Sequence, residues 1–155
     1  MSEILHKKIT EINDIHENKH ETYKYTEHKF VPRGHASQCM VSVYEIPPGK
    51  SAYPYHYHKM NEEVFYVISG TGVLKSPDGD KLINAGELLF FPACDKGAHK
   101  LINTSETEVL KYIDFSTTND IDVCFYPDSG KIGVWGKDID HVYRTRDTVD
   151  YYEGE

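Results

Sequence analysis

The chain has 155 residues, with 17 basic against 25 acidic side chains and a formal charge of −8. That length suits one domain with a buried core, read here as 1–155. The charge argues against nucleic acid or an anionic membrane as partner. No apolar run reaches the ~18 residues a spanning helix needs, and the opening Met1-Ser2-Glu3-Ile4-Leu5-His6 lacks the apolar stretch of a secretory signal. Three widely spaced cysteines (Cys39, Cys94, Cys124) make neither a disulfide framework nor a cysteine-type zinc site. They suit a reducing, cytoplasmic setting.

Residues 1–35 read as a polar N-terminal arm. Ile9, Ile12 and Ile15 recur at helical spacing and predict one short helical turn. The scattered His6, His16, His20 and His28 have no apolar neighbours and read as solvated. From residue 36 the character changes. Stretch 36–46 is rich in β-formers and ends at Pro47-Pro48-Gly49, where proline removes an amide donor. Strand-like runs follow at 63–69, 73–75, 81–83, 87–91, 99–103 and 108–115. Gly70-Thr71-Gly72, Ser76-Pro77-Asp78-Gly79-Asp80 and Asn84-Ala85-Gly86 supply turns between them. Short strands punctuated by Gly and Pro, without βαβ alternation, predict an all-β sandwich or barrel over 36–115. The tail, 116–155, carries a Pro127-Asp128-Ser129-Gly130 turn between strand-like flanks. It reads as a β-hairpin packing on the barrel or across a dimer, the other reading being a lid at the barrel mouth.

In 63–69 the residues alternate Glu63, Phe65, Val67 against Val64, Tyr66, Ile68, so both faces are apolar. A strand of that kind must be covered on both sides. One face fills a barrel; the other predicts a homodimer. Phe65, Val67, Leu88, Phe90 and Leu101 are the expected lining of an apolar cavity.

His56 and His58, one residue apart, share a face if extended, with Cα atoms roughly 6.6 Å apart. Two imidazoles so placed can reach one metal ion, and a carboxylate follows at Glu62-Glu63. Four residues of turn-like sequence between histidine and carboxylate suggest a metal clip on a β-hairpin. Parity turns Tyr55 and Tyr57 away from that clip.

The chain holds two spaced motifs. One is Gly49, His56-x-His58, four residues, Glu63, six residues, Gly70. The other is Gly86, five residues, Pro92, then His99, three residues, Asn103. Together they resemble the paired motifs of the cupin superfamily, in particular small cupins of unassigned activity, whose tails are similar to 126–131 and the closing 150–155. The chain departs from the pattern at Cys94, where the second motif has glycine, and in a longer 93–98 loop. The resemblance implies a double-stranded β-helix, the cupin jelly-roll barrel. It implies a mononuclear site in which His56, His58, Glu63 and His99 hold one divalent ion such as Mn, Fe, Co, Ni or Zn. Glu63 fits the six-residue gap to Gly70, and Glu62 would point to the opposite face. Four ligands leave open positions for a small oxygenated molecule: a carboxylate, sugar or sugar-phosphate. The implied activities are dioxygenase, decarboxylase or isomerase, with non-catalytic ligand binding or sensing as the alternative. No organic cofactor and no catalytic residue beyond the ligands is indicated. Asn103 reads as a turn-closing residue, Cys94 as a packed thiol, and Lys96 and Arg33 as candidate contacts for an anion.

Overall fold

The computed structural model describes residues 4–155, so Met1-Ser2-Glu3 of the polar start lie outside the described residues. Its strands are β1 (Asp14–Glu17), β2 (Tyr25–Val31), β3 (Cys39–Ile46), β4 (Tyr57–His58), β5 (Glu63–Ser69), β6 (Thr71–Lys75) and β7 (Lys81–Asn84). They continue with β8 (Leu88–Phe91), β9 (Lys100–Ile102), β10 (Leu110–Thr117), β11 (Ile121–Tyr126), β12 (Lys131–Gly136) and β13 (Asp140–Arg144). Three short 3₁₀ turns interrupt them at Ile9–Glu11, Asp95–Gly97 and Pro127–Ser129. The architecture is the expected all-β double-stranded β-helix.

One wall is a six-stranded sheet in the order β1-β2-β3-β10-β5-β8. The other is built from β13-β12-β11-β4 and β7-β6-β9. His56 and His99 join these two smaller sheets. Each donates its amide to the other's carbonyl, at 3.1 and 2.8 Å. The core lies between the walls, with Ile46, Phe65, Val67, Phe91, Leu110 and Tyr112 facing Leu74, Ile83 and Leu101.

Register gives the large sheet two different faces. Phe90–Val64–Phe115–Val41 and Leu88–Tyr66–Ile113–Val43 run straight across β8, β5, β10 and β3 on the outside. Leu89–Phe65–Asp114–Ser42 runs across the same strands on the inside. Leu88 and Phe90, expected in the barrel, are therefore outside, 71% and 59% exposed. Leu89 and Phe91 take their place. Pairing of Phe91 with Glu63 decides the parity, because the unbroken Leu-Leu-Phe-Phe run carries no alternation of its own.

The arm and tail contribute more than loose packing. β2 lies within the segment read as an arm and is a full member of the large sheet, paired with β3. His28 sits on that strand, mostly buried and 3.6 Å from Glu45, rather than solvated. His6, His16 and His20 are exposed as expected. The predicted helix is only the Ile9–Glu11 turn. In the tail, β11 pairs with β4 and so completes the second wall.

Space demands glycine at several turns and strands, Gly70 and Gly97 among them. Gly70 turns β5 into β6 at φ +82°, and a Cβ there would lie 2.5 Å from the Val109 carbonyl. A Cβ on Gly97 would lie 2.0 Å from the Pro92 carbonyl. Asn103, fully buried, donates to the Ile46 and Glu108 carbonyls and accepts from the Ser105 amide, closing its turn as read.

Candidate metal centre

His56, His58, Glu63 and His99 converge at one end of a cavity of about 560 Å³. They do not come from one hairpin. β4 belongs to the smaller wall and β5 to the large sheet, so the 59–62 turn carries the chain across the barrel. Glu63 Oε2 lies 3.3 Å from His99 Nε2 and 3.5 Å from His58 Nε2. The His56 ring centroid is 4.7 Å from that of His99 and 5.1 Å from that of His58. Glu62 is exposed and points away, as parity requires.

Each imidazole is anchored through its outer nitrogen. Nδ1 of His56 donates to the Pro54 carbonyl at 2.8 Å, and Nδ1 of His99 to the Gly97 carbonyl at 2.9 Å. Nδ1 of His58 donates to Asp122 Oδ2 at 2.5 Å. These bonds select the tautomer whose Nε2 lone pair faces the cavity. Phe91 stacks on His99 at 3.7 Å and fixes the ring plane. Asp122 is fully buried and also accepts from the Met60 and Asn61 amides, at 2.9 and 3.3 Å.

The electrostatics favour uncharged rings at two positions. Burial, then the neighbouring His58, pushes His56 down to about 4. Burial, then His56, holds His99 well below the usual range. For His58 burial acts downward too, but the Asp122 hydrogen bond and the Glu63 charge outweigh it and hold the ring above its ordinary value. Burial raises the Glu63 carboxyl against the pull of His58.

The residues fit a cation on a structural observation. His99 Nε2 and Glu63 Oε2 are both buried and both lack a hydrogen-bond partner. An unpaired buried donor atom of this kind is costly unless something binds it. His56, Glu63 and His99 each offer one atom within 4.8 Å of the others. Imidazoles hydrogen-bonded through Nδ1, one of them to a carboxylate, are the usual supporting arrangement of metal-binding histidines.

Beyond the cluster the cavity is more polar than the sequence suggests. Glu27 is buried and accepts from Ser42 Oγ and the Tyr44 hydroxyl, both at 2.9 Å. The Tyr53 hydroxyl is 3.0 Å from that of Tyr44. Ser116 Oγ is 2.7 Å from Asp114 Oδ1 and 3.4 Å from Glu63 Oε1. One hydroxyl proton cannot serve both carboxylates, so the chain closes when one carboxyl is protonated. Burial, then the Glu63 charge, holds Asp114 well above the usual carboxylate range and makes it that group. Lys29, Arg33 and Lys100 also line the cavity. Lys96 is exposed and does not, and Cys94 sits half-buried in the β8–β9 loop outside the lining. Tyr57 stacks outside on Phe125 at 5.0 Å, and Tyr55 meets Lys75, both away from the cluster.

Sequence reasoning does not single out Glu27, Asp114, Asp122 or, as a site residue, Cys124. A signal for Asp114 and Ser116 exists, since both alternate along one strand that also buries Tyr112. Glu27 and Asp122 lie in segments whose pairing is long-range.

Several solved structures share the fold. A sugar phosphate isomerase of the cupin superfamily from Silicibacter pomeroyi superposes with TM-score 0.80 at 18% identity, over 94% of this chain and 96% of its own. A candidate sugar phosphate isomerase from Acidithiobacillus ferrooxidans gives 0.79 at 24%, over 94% and 93%. A predicted oxalate decarboxylase from Thermotoga maritima gives 0.65 at 20%, over 74% and 100%. No curated protein matches the sequence. No helix among the described residues is long and apolar enough to cross a membrane. The cupin-domain family model matches residues 42–116, which hold both motifs and run from within β3 to within β10, so this stretch of the chain is a cupin domain.

Proposed function

We propose that the chain is a metal-dependent enzyme that isomerises a small phosphorylated sugar. His56, His58, Glu63 and His99 would hold one divalent first-row ion, Mn, Fe, Co, Ni or Zn. The observation that carries this reading is the cavity itself. It brings the unpaired His99 and Glu63 atoms together from its two walls and places Lys29, Arg33 and Lys100 in the same lining. In a chain of net charge −8, three cations about one cavity fit an anionic group on the ligand. The two similar structures named for sugar phosphate isomerases agree with that class.

When bound, the ion supplies Lewis-acid polarisation of a carbonyl. The chain's own groups do the rest. Asp114, through Ser116, can give or take a proton at the cavity wall, a role that suits a carboxyl held above the usual range. Tyr44 and Tyr53 present hydroxyls to the sugar's own, and Lys29 and Arg33 neutralise the phosphate. The second wall, closed by β11, keeps bulk water from the ligand cluster.

The outer face of the large sheet supports the homodimer. Val64, Tyr66, Ile68, Leu88, Phe90 and Phe115 are exposed and contiguous by register. An uncharged apolar patch is self-complementary, so a second copy related by a two-fold axis covers it without opposing like charges. A cytoplasmic location stays with this reading as part of the proposal.

Elemental analysis of freshly purified protein, followed by proton NMR of a sugar phosphate panel in heavy water, tests the function. Bound metal near one per chain, with exchange of a substrate C–H for deuterium, is expected. His99→Ala should abolish both. Binding of a sugar phosphate without exchange or turnover would instead make the protein a ligand-binding module. Absence of any bound divalent ion, with His99→Ala unchanged, would sink the metal centre itself.

A further inference from the structure

We infer that Cys124 is a further donor to the ion held by His56 and His58, a thiolate on the wall opposite Glu63's sheet. The inference rests on the metal centre proposed above. Cys124 lies on β11 and is directly paired with His58 of β4. Directly paired residues of an antiparallel ladder project to the same side, so the sulfur follows His58 into the cavity, whose lining includes it. Its Sγ and one ring nitrogen each of His56 and His58 lie within 4.8 Å of one another. Metal–sulfur and metal–nitrogen bonds of about 2.3 and 2.1 Å allow donors on one ion to be up to about 4.4 Å apart. A shift of a few tenths of an ångström therefore brings all three onto one centre.

Three further observations point the same way. Cys124 is only 1% exposed, yet its neighbours on that face are polar. Burial pushes the Cys124 thiol up to about 12, and the Tyr126 hydroxyl and the Trp135 indole N–H pull the other way by favouring the anion. A neutral thiol is a weak acceptor; two donors aimed at one sulfur suit an anion. Trp135 reaches that place because β12 has Gly133 there. A Cβ on Gly133 would lie 2.6 to 2.7 Å from the indole ring. The unpaired His99 and Glu63 atoms, 2% and 7% exposed, independently favour a cation in this space.

Coordination transfers the thiol proton to solvent and leaves a sulfur–metal bond. The centre then carries a carboxylate and a thiolate, two charges that offset the dication. Sulfur also biases it toward Co, Ni and Zn and away from Mn. A ligand entering the cavity meets one exchangeable position instead of two.

Cobalt(II) titration of the reduced full-length protein tests the inference. The expected spectrum has visible d–d bands together with a near-ultraviolet sulfur-to-cobalt charge-transfer band. The Cys39→Ser/Cys94→Ser double variant should keep that band. Cys124→Ser should lose it while retaining the d–d bands, and Tyr126→Phe should shift its energy. Visible bands without charge transfer in the unaltered protein overturn the inference and leave the metal centre standing. No cobalt binding at all overturns both. Should Cys124→Ser fail to fold, the charge-transfer band of the unaltered protein still discriminates, with the Tyr126→Phe shift as a second readout.

Discussion

The two faces of the large sheet are sorted differently: the inner one carries a polar group beside the apolar core of Phe65, Val67 and Tyr112, and the outer one leaves apolar residues exposed. Its inner face carries Glu27, Ser42, Tyr44, Glu63, Asp114 and Ser116, most of them buried and hydrogen-bonded to one another. Its outer face carries Val64, Tyr66, Leu88, Phe90 and Phe115 in contact with solvent. Along β5 the two alternate residue by residue. The polar interior is tolerated because register groups its members into connected sets, so few groups are left unpaired. Of the unpaired buried atoms, Glu63 Oε2 and His99 Nε2 belong to the candidate centre, while the His28 ring nitrogens on β2 and Ser51 Oγ lie outside it. The apolar exterior has no such internal explanation and is the surface given to the proposed second copy.

Charging the outer face breaks the comparison most completely. Tyr66→Glu/Phe90→Glu places two carboxylates in the proposed interface, and burying each unpaired costs several kcal/mol. Analytical ultracentrifugation should show dimer affinity weakened by more than about 100-fold, with the cavity's metal content retained. A monomeric unaltered protein would overturn the reading of that face. On the inner side, Asp122→Asn removes the carboxylate that orients His58 without touching the cavity. Loss of such a supporting group costs about 10–100-fold in metal affinity, measurable by competition with a chelating dye.

The smallest effect sharpens the contrast. Asp114 keeps its proton in the folded state at pH values where the unfolded carboxyl, with an ordinary value of 3.8, has lost it. The unfolded chain then binds fewer protons, so this group lowers stability as pH rises above about 4. Asp114→Asn removes that slope. The metal-free variant should melt higher than the parent at pH 7, with the advantage vanishing near pH 3.8. Each kcal/mol gained appears as about 2–4 °C at this chain length. An equal advantage at both pH values would show that Asp114 is ionised in the fold.

What is legible in the sequence is local. His56, His58 and Glu63 are readable because a strand's period of two assigns faces without knowledge of its neighbours, and His99 and Asn103 because motif spacing carries them. Leu88 and Phe90 are misplaced because an unbroken apolar run has no parity until Phe91 pairs with Glu63. Asp122, Cys124 and Glu27 stay hidden for a related reason. Each enters the site through pairing across the barrel: β11 on β4, and β2 on β3. The hairpin expected around His56–Glu63 fails likewise, since nothing in 59–62 says that the chain changes sheets there.

The paired amides of His56 and His99 have a consequence for when the proposed metal centre can form. These two residues stand at the seam where the smaller sheets meet, and they become neighbours only when the intervening chain has folded back on itself. Forming so distant a contact is slow and comes late. The third imidazole is held by Asp122, supplied by β11, which follows β3 to β10 in the chain. A growing polypeptide therefore has no assembled chelate to offer while it emerges from the ribosome. Loading of the proposed centre waits for the finished barrel, where an ion would act as a seal on correct assembly rather than a nucleus for it.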